Sequence, residues 1–296
     1  MTIELRLTDT NPPEPDPPRT IYRDIANLPD PTSLGMTVRF FNHDDVSLYF
    51  KITGSGSGYT FTPITLGVLD SGLNDYINLD NFASKAKPTA AQLPNGEMGE
   101  TITLTLTAYT DSGYNNLKWT FTRNVQVIWI NSADPAFTVN EFDNFDDGTV
   151  QGWDVITESD EAITLAVATD YVLSSPYSIK ATHTSSFTTG GAGRMYKSFS
   201  TPNKDTIYAV ADIRMSAREV YGFASILELK HDDTLLIHLG KASNIANQLP
   251  KNRWIRLVAP LPKNSTVEIR ISFAWYDQGF PKSAYQWLDD FKIISK

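Results

Sequence analysis

Residues 101–109 read Thr-Ile-Thr-Leu-Thr-Leu-Thr-Ala-Tyr, an alternation that indicates a β-strand. Apolar residues alternate with threonines along it, so an extended segment here has one apolar face and one polar face. The turn sequence Asp-Ser-Gly follows at 111–113, and residues 117–130 are again rich in β-branched and aromatic side chains. The pattern predicts a hairpin of two long strands.

The same period of two continues from that hairpin back toward the N-terminus. Alternation begins at Met36 and recurs at residues 46–52, 59–65 and 76–79, with turn sequences between the runs. About seven short strands in roughly 100 residues are typical of an immunoglobulin-like sandwich. The segment 36–134 resembles the Ig-like or fibronectin-type modules of surface proteins. The resemblance is one of pattern, because the Cys–Trp–Cys hallmark is absent.

Residues 1–35 differ from the rest of the chain in composition. Seven of the 17 prolines fall in this segment. A run of this kind is incompatible with a helix or a central strand. The sequence therefore predicts an extended, partly polyproline arm. Two interpretations of the arm remain open: a disordered tail, or a segment that docks on a neighbouring subunit.

The overall composition excludes several classes of function. The chain has 296 residues, enough for two sandwich domains, and its formal net charge of −9 disfavours binding to nucleic acid. It has no cysteine, which excludes disulfides, thiolate metal sites and cysteine nucleophiles. No apolar stretch is long enough for a membrane span, and no signal peptide is visible.

Two short motifs bracket the C-terminal half of the chain. Residues 142–153 read Phe-Asp-Asn-Phe-Asp-Asp-Gly-Thr-Val-Gln-Gly-Trp, and residues 287–294 read Trp-Leu-Asp-Asp-Phe-Lys-Ile-Ile. An Asp-Pro turn at 134–135 precedes them and marks the boundary between the domains.

The segment 135–296 resembles the galactose-binding-like jelly roll of carbohydrate-binding modules. In that family a similar opening motif is paired with an aspartate–aspartate–apolar closing strand. The matching residues are Phe145, Asp146, Gly148, Gly152 and Trp153 at the opening, and Asp289, Asp290 and Phe291 at the closing. The whole chain is therefore predicted to be all-β, with two β-sandwich domains: an Ig-like sandwich followed by the jelly roll.

The resemblance also implies a structural calcium ion. The first and last strands of a jelly roll lie near each other, so Asp146 can converge with Asp289 and Asp290, and carboxylate oxygens suit Ca²⁺. The family usually has glutamate at the position of Asp146, which is one carbon longer. The alternative is that Asp146 only stabilises a turn and that the closing acids only cap or edge a strand. Both interpretations stay open.

Motifs for catalysis are absent from the sequence, which contains no HExxH, GxSxG or Walker pattern. The carboxylates considered for glycoside hydrolysis are Glu228, Asp232, Asp233 and Glu268. Several acids alternate with bases, as Asp212 does with Arg214. On strands such pairs share a face and form charge ladders with neighbouring strands. We therefore predict a non-enzymatic protein with these charges on a solvent-exposed face.

Sugar-binding modules use exposed aromatic side chains that stack on pyranose rings, beside polar groups that bind hydroxyls. The candidates lie in loops and at strand ends of the C-terminal half: Tyr221, Tyr276, Gln278 and Tyr285. Trp153 and Trp254 are predicted to be core residues, because large aromatic side chains are usually buried. A purely structural role for all these aromatic residues is the competing interpretation.

Three functional hypotheses follow. The first is a non-catalytic structural or binding protein of a surface assembly, in particular a virion tail, turret or decoration component, whose partners are copies of itself or other virion proteins. The proline-rich arm and the missing signal peptide favour it. The second is a cell-surface or secreted carbohydrate-binding or adhesion protein with a glycan ligand. The third is a glycan-active enzyme. The predicted location is a virion or the extracellular cell surface.

Overall fold

The computed structural model describes residues 3–6, 20–25, 37–78, 83–157, 162–174, 176–185, 191–215, 226–231, 234–239, 254–275 and 282–296. These residues are nearly all in strands or turns, as the all-β prediction requires. The chain divides into two compact units, the first ending at Ile130 and the second continuing from Asn131. Within the described ranges, no helix has the length and apolar character needed to cross a membrane.

The first unit contains strands β1–β10 and two short 3-10 helices, at Ala90–Gln92 and Pro94–Gly96. The strands are β1 (Ile3–Arg6), β2 (Thr20–Asp24), β3 (Thr37–Asn42), β4 (Leu48–Ser55), β5 (Thr60–Phe61), β6 (Ile64–Leu69), β7 (Asn74–Asn78), β8 (Ala83–Ser84), β9 (Glu97–Tyr109) and β10 (Leu117–Ile130).

The main sheet of the first unit has the order β2-β10-β9-β4-β6, beside a three-stranded sheet β1-β3-β7 and the short pair β5-β8. The predicted hairpin is confirmed, since β9 and β10 pair antiparallel along nearly their whole length. Ile102, Leu104, Leu106 and Ala108 are fully buried in the first core, while the threonines between them lie on the opposite face. The period of two in the sequence thus gives the correct face of this strand.

The segment 1–35 does not behave as a free arm where the structure describes it. Strand β1 pairs antiparallel with β3, and β2 pairs parallel with β10. Ile3 is buried in the first core. Both stretches are free of proline, and their backbone N–H groups are available for sheet hydrogen bonds, whereas the seven prolines on which the predicted arm depends lie outside the described residues.

The second unit contains strands β11–β21 in the described residues. They are β11 (Thr138–Asp143), β12 (Asp154–Thr157), β13 (Ala162–Ala168), β14 (Ser178–Ser185), β15 (Gly191–Ser200), β16 (Ile207–Met215), β17 (Ile226–His231), β18 (Thr234–Leu239), β19 (Trp254–Pro260), β20 (Thr266–Trp275) and β21 (Lys282–Ser295).

Two antiparallel sheets of the second unit pack face to face as a β-sandwich. One has the order β13-β14-β21-β16-β19 with β11 also on β21, and the other has the order β12-β15-β20-β17-β18. Side chains of both sheets form one core, for example Leu288 and Phe291 from the first sheet and Ile269 and Ile271 from the second. Trp153 lies in this core, as predicted from the sequence.

Strand β21 organises the six-stranded sheet. Strand β16 pairs along its whole length on one edge. The other edge is shared: β14 pairs with residues 282–288 of β21, and β11 pairs with residues 291–295. Asp289 and Asp290 lie in the gap between these two partners, where the register against β16 shifts. This gap positions the candidate site.

The face of the six-stranded sheet turned away from the core is called the outer face here. Because Leu288 points into the core, its strand neighbour Trp287 points to the outer face. Beyond the register shift, Phe291 and Ile293 point into the core, so Lys292 lies on the outer face as well. The shift therefore keeps both ends of β21 in contact with the same core.

Candidate functional site

An aromatic cluster lies on the outer face around Trp287. The indole of Trp287 is 2% exposed, and its Nε1 donates a hydrogen bond to Oδ1 of Asp170 at 3.0 Å. The ring of Tyr171 packs edge-on against the indole, with centroids 4.9 Å apart, and the Tyr285 ring lies 5.8 Å away. We call Tyr171, Tyr285 and Trp287 the aromatic cluster.

Two cationic side chains hold the aromatic cluster from the sheet. Lys180, directly opposite Trp287 on β14, places its Nζ 4.5 Å from the Tyr285 ring centroid and 5.0 Å from the Trp287 centroid. The same Nζ lies 2.6 Å from Oδ2 of Asp170. The guanidinium carbon of Arg214 lies 3.9 Å from the Tyr171 ring centroid. Cation–π contacts at these distances are attractive and fix the ring orientations.

Tyr171 is the exposed member of the cluster, with 44% of its surface accessible. Arg214 lies over one face of the ring, and the Trp287 indole packs against the ring at an interplanar angle of 77°. An aromatic ring that is held by a cation and still leaves nearly half of the residue's surface accessible has the properties of a stacking platform. The adjacent groups of Asp170 and Lys180 supply an acceptor and donors for hydrogen bonds.

Partial burial acts to raise the pKa of Asp170, but the hydrogen bonds from Lys180 and Trp287 outweigh it and hold that pKa below its ordinary value. Asp170 is therefore an anion at neutral pH, and its oxygens act as acceptors. Its carboxylate bonds both to the Lys180 ammonium and to the buried indole of Trp287.

The loop that presents Tyr171 is anchored by the predicted closing acids. Asp289 is fully buried, and its Oδ2 accepts hydrogen bonds from the backbone N–H groups of Leu173 at 2.7 Å and Ser174 at 3.2 Å. The Ser174 hydroxyl lies 2.7 Å from Oδ1 of Asp289 and 2.9 Å from Oδ1 of Asp290. Ser178 donates its hydroxyl to the backbone carbonyl of Tyr171 at 2.7 Å. These bonds fix the backbone from the carbonyl of Tyr171 to Ser174.

Burial raises the pKa of Asp289, although the backbone N–H of Leu173 and the hydroxyl of Ser174 act in the opposite direction.

A second buried acid lies on the same face. Asp212 is fully buried and forms a two-pronged ion pair with Arg256, the residue directly across from it on β19. Burial raises the pKa of Asp212 as well, against the pull of the Arg256 guanidinium.

The Asp212–Arg256 pair differs from the predicted charge ladder. The alternation of Asp212 with Arg214 places both on one face, as expected, but that face is buried at Asp212 rather than exposed to solvent. The partner comes from the neighbouring strand, and Arg214 turns to the Tyr171 ring. On the second sheet, by contrast, the i, i+2 pair of Glu268 and Arg270 does form a hydrogen bond.

One of the four predicted ligand-binding residues belongs to the aromatic cluster. Tyr285 is half-buried beside Trp287. Tyr221, Tyr276 and Gln278 lie outside the described residues, and so do Asp232 and Asp233. Trp254 was predicted to be a core residue, but it is half-buried and faces the outer side, because its neighbours Ile255 and Leu257 take the core positions.

Sequence reasoning missed four members of this site: Asp170, Tyr171, Lys180 and Arg214. Tyr171 and Asp170 stand in a turn-rich stretch with no diagnostic motif, and their positions depend on contacts with residues more than 100 positions away. Lys180 could have been found from its strand, since alternation with the buried Ile179 and Ala181 predicts that it faces outward.

The three predicted calcium ligands are not brought together. Asp146 is exposed and accepts a hydrogen bond from the Asn144 amide at 2.8 Å. Asp289 receives four hydrogen bonds, the fourth from the N–H of Asp290. Donors aimed at a carboxylate occupy the lone pairs that a calcium ion would need, so this arrangement does not fit Ca²⁺. Across the part of the chain that the structure describes, no three acidic or histidine side chains are grouped for a metal ion.

The opening motif is organised by Asp143 rather than by Asp146. Asp143 is buried at the end of β11, where its carboxylate accepts hydrogen bonds from Nε1 of Trp153 at 2.9 Å and Nζ of Lys197 at 2.7 Å. Asp143 is paired in register with Phe291 of β21. The opening and closing motifs are therefore adjacent in space, as the resemblance implied, and their contacts here are structural.

Comparison with known proteins gives matches only among solved structures. No protein-family model and no curated protein matches the chain. The chain is similar to carbohydrate-binding modules of the β-sandwich superfamily, with 12% identity, a TM-score of 0.39 and coverage of 99% of this chain and 98% of that chain.

Two further similar structures overlap about half of the chain. One is a xylan-binding domain from Paenibacillus barcinonensis, with 16% identity, a TM-score of 0.31 and coverage of 53% of this chain and 93% of that chain. The other is a cleaved-adhesin domain of Lys-gingipain from Porphyromonas gingivalis, with 12% identity, a TM-score of 0.34 and coverage of 54% and 99%. At such low identities and TM-scores, these likenesses carry no information about the function of this chain.

Proposed function

We propose that this chain is a non-catalytic carbohydrate-binding protein whose ligand stacks on Tyr171. The observation that carries the proposal is the geometry of that ring. It is 44% exposed, backed at 3.9 Å by Arg214, and mounted on a loop whose N–H groups are bonded to the buried Asp289. A ring that is already rigid loses little conformational entropy on binding, so it can bind the flat face of a ligand with few contacts.

The chemistry of the cluster suits a sugar ring. A pyranose has an apolar face of C–H groups, which packs on an aromatic ring, and a periphery of hydroxyls that need donors and acceptors. Asp170 supplies acceptor oxygens beside the ring, and the Lys180 ammonium supplies donors at 2.6 Å from them. Both polar groups are already oriented, since Asp170 is also held by the Trp287 indole.

The carboxylates around the cluster argue for binding rather than hydrolysis. Glycoside hydrolysis needs one carboxylic acid that is protonated and within reach of the substrate, and a second that is free to act. Asp170 is ionised and bonded to Lys180, and Asp212 and Asp289 are buried beneath Arg256 and the Tyr171 loop. Within the described residues, none of these three acids offers a protonated, accessible group.

The virion hypothesis now has less support than the carbohydrate-binding one. It relied on a proline-rich arm that docks on a neighbouring subunit, and strands β1 and β2 of that segment pair within the first unit. A virion component remains a prediction. The corresponding location is outside the cell or on a cell surface, because polysaccharides occur there.

Affinity electrophoresis through gels that contain a soluble polysaccharide tests the proposed function. The panel consists of xylan, galactomannan, β-1,4-galactan and hydroxyethyl cellulose, with a polysaccharide-free gel as the reference. We expect retardation of the wild-type protein in at least one gel and its loss in the Tyr171→Ala variant. Equal mobility of the wild-type protein in all gels would contradict the proposal.

A further inference from the structure

A second exposed aromatic ring lies on the outer face, outside the cluster described above. Phe142 of β11 is 46% exposed. It stands directly opposite Lys292 of β21, whose Nζ lies 4.8 Å from the ring centroid. Phe142 thus repeats the arrangement of Tyr171: an accessible ring that is backed from the sheet by a cationic side chain.

Phe142 and Tyr171 share both a face and an edge of the sheet. Lys292 and Trp287 both point to the outer face, so the rings that pack on them lie on that face too. Strands β11 and β14 pair with the same edge of β21, one after the other. The Tyr171 loop contacts β21 between these two partners, because the N–H groups of Leu173 and Ser174 bond to Asp289.

The distance along β21 between Trp287 and Lys292 sets the separation of the side chains that support the two rings. Trp287 and Lys292 are four regular strand steps apart once the register shift is discounted, which is about 13 Å. Leu173, 38% exposed, belongs to the segment that lies between them. One sugar ring cannot cover both supports, whereas a linear chain of several sugars can.

We propose that Phe142 is a second stacking position, and that the ligand is a linear oligosaccharide or polysaccharide chain lying along the β11 edge, over the Tyr171 loop and onto β14. This inference rests on the proposed carbohydrate-binding function. It predicts a site that recognises the interior of a chain rather than a single terminal sugar. Phe142 then contributes to affinity only when the ligand is long enough to reach it.

Titration calorimetry with oligosaccharides of increasing length tests the inference. The probes are xylo-, manno- and cello-oligosaccharides of two, four and six sugar units. We expect the six-unit ligand to bind the wild-type protein about tenfold more tightly than the two-unit ligand, in keeping with one added stacking contact. Phe142→Ala should abolish that gain and leave the two-unit affinity unchanged, while Phe142→Tyr, which keeps the ring, should retain it.

The possible failures are distinguishable. If Phe142→Ala binds the six-unit ligand as tightly as the wild-type protein does, while Tyr171→Ala does not, then Tyr171 is a single platform and the inference is overturned alone. If affinity falls equally for short and long ligands in Phe142→Ala, the effect is structural and the inference is also overturned. If the wild-type protein binds none of the oligosaccharides or polysaccharides, both the inference and the proposed function fall.

Discussion

Asp289 and Ser174 are joined twice: the Asp289 carboxylate lies 3.2 Å from the backbone N of Ser174 and 2.7 Å from its hydroxyl. The two residues are 115 positions apart in the sequence. Their contact brings the Tyr171 loop onto the closing strand β21. It therefore connects the buried sheet to the one ring on which the proposed function depends.

Removal of the Asp289 carboxylate should release the Tyr171 loop. In Asp289→Ala the N–H groups of Leu173 and Ser174 lose their acceptor, so we expect the free energy of unfolding to fall by about 2–3 kcal/mol. Polysaccharide binding should weaken as well. Chemical denaturation and affinity electrophoresis measure the two effects. Asp146→Ala is the matched control, because Asp146 is an exposed acid of the opening motif, and it should behave like the wild-type protein.

Calcium should have little effect on the stability of this protein. Four donors occupy the oxygens of Asp289, one of the predicted calcium ligands. We expect the same melting temperature in the presence of excess Ca²⁺ and in the presence of a chelator, measured by differential scanning calorimetry. A rise on calcium addition that Asp289→Ala abolishes would show that these donors give way to a metal ion.

The buried pair of Asp212 and Arg256 should make stability depend on pH in a defined direction. Burial raises the pKa of Asp212, so the folded state holds this proton more tightly than the unfolded state does. The stability that this group contributes is full below its unfolded pKa and falls as the pH rises through its folded pKa. Loss of Arg256 raises the folded pKa further and enlarges that fall.

Arg256→Ala should therefore be more destabilising at neutral pH than at mildly acid pH, with a loss of about 3–5 kcal/mol at neutral pH, where an unpaired charge stays buried. Urea denaturation at the two pH values measures the difference. Lys263→Ala is the control: it also removes a cation that lowers the pKa of an aspartate, but its partner Asp205 is exposed, so the loss has the same direction with pH and stays small. An equal loss at both pH values in Arg256→Ala would refute the buried-charge explanation.

The indole N–H of Trp287 should matter separately from its ring. Trp287→Phe keeps an aromatic ring under Tyr171 but removes the hydrogen bond to Asp170, so we expect a loss of about 1 kcal/mol in stability. Trp287→Ala also removes the buried ring and should cost about 3–5 kcal/mol. Thermal unfolding distinguishes the two. If both variants melt like the wild-type protein, Trp287 is not the support of the aromatic cluster.

The strands were predictable because a period of two encodes which face of a strand is buried. Residues 101–109 alternate strictly, and the structure buries the expected set of side chains. The contact between the opening and closing motifs was also predictable, since β11 does pair with β21. Both predictions depend on local pattern or on order along the chain.

The site was less predictable because its geometry depends on long-range contacts. Tyr171 becomes a platform only through Asp289, Arg214 and Trp287, none of which is near it in sequence. Charge also misled the prediction at Asp212, where a charged residue is buried because the register of β16 and β19 places Arg256 opposite it. Register between distant strands is not encoded in the period of either one.

The central claim is that the Tyr171 ring binds a polysaccharide chain. Titration calorimetry tests it most directly, with the polysaccharide that most retards the wild-type protein in the gel panel as the ligand. The comparison is between wild-type protein, Tyr171→Ala and Leu117→Ala, the last being an exposed apolar residue of the first unit. We expect affinity to fall at least tenfold in Tyr171→Ala and to stay unchanged in Leu117→Ala, with unaltered melting temperatures. Equal affinity in all three proteins would place the ligand elsewhere and contradict the account.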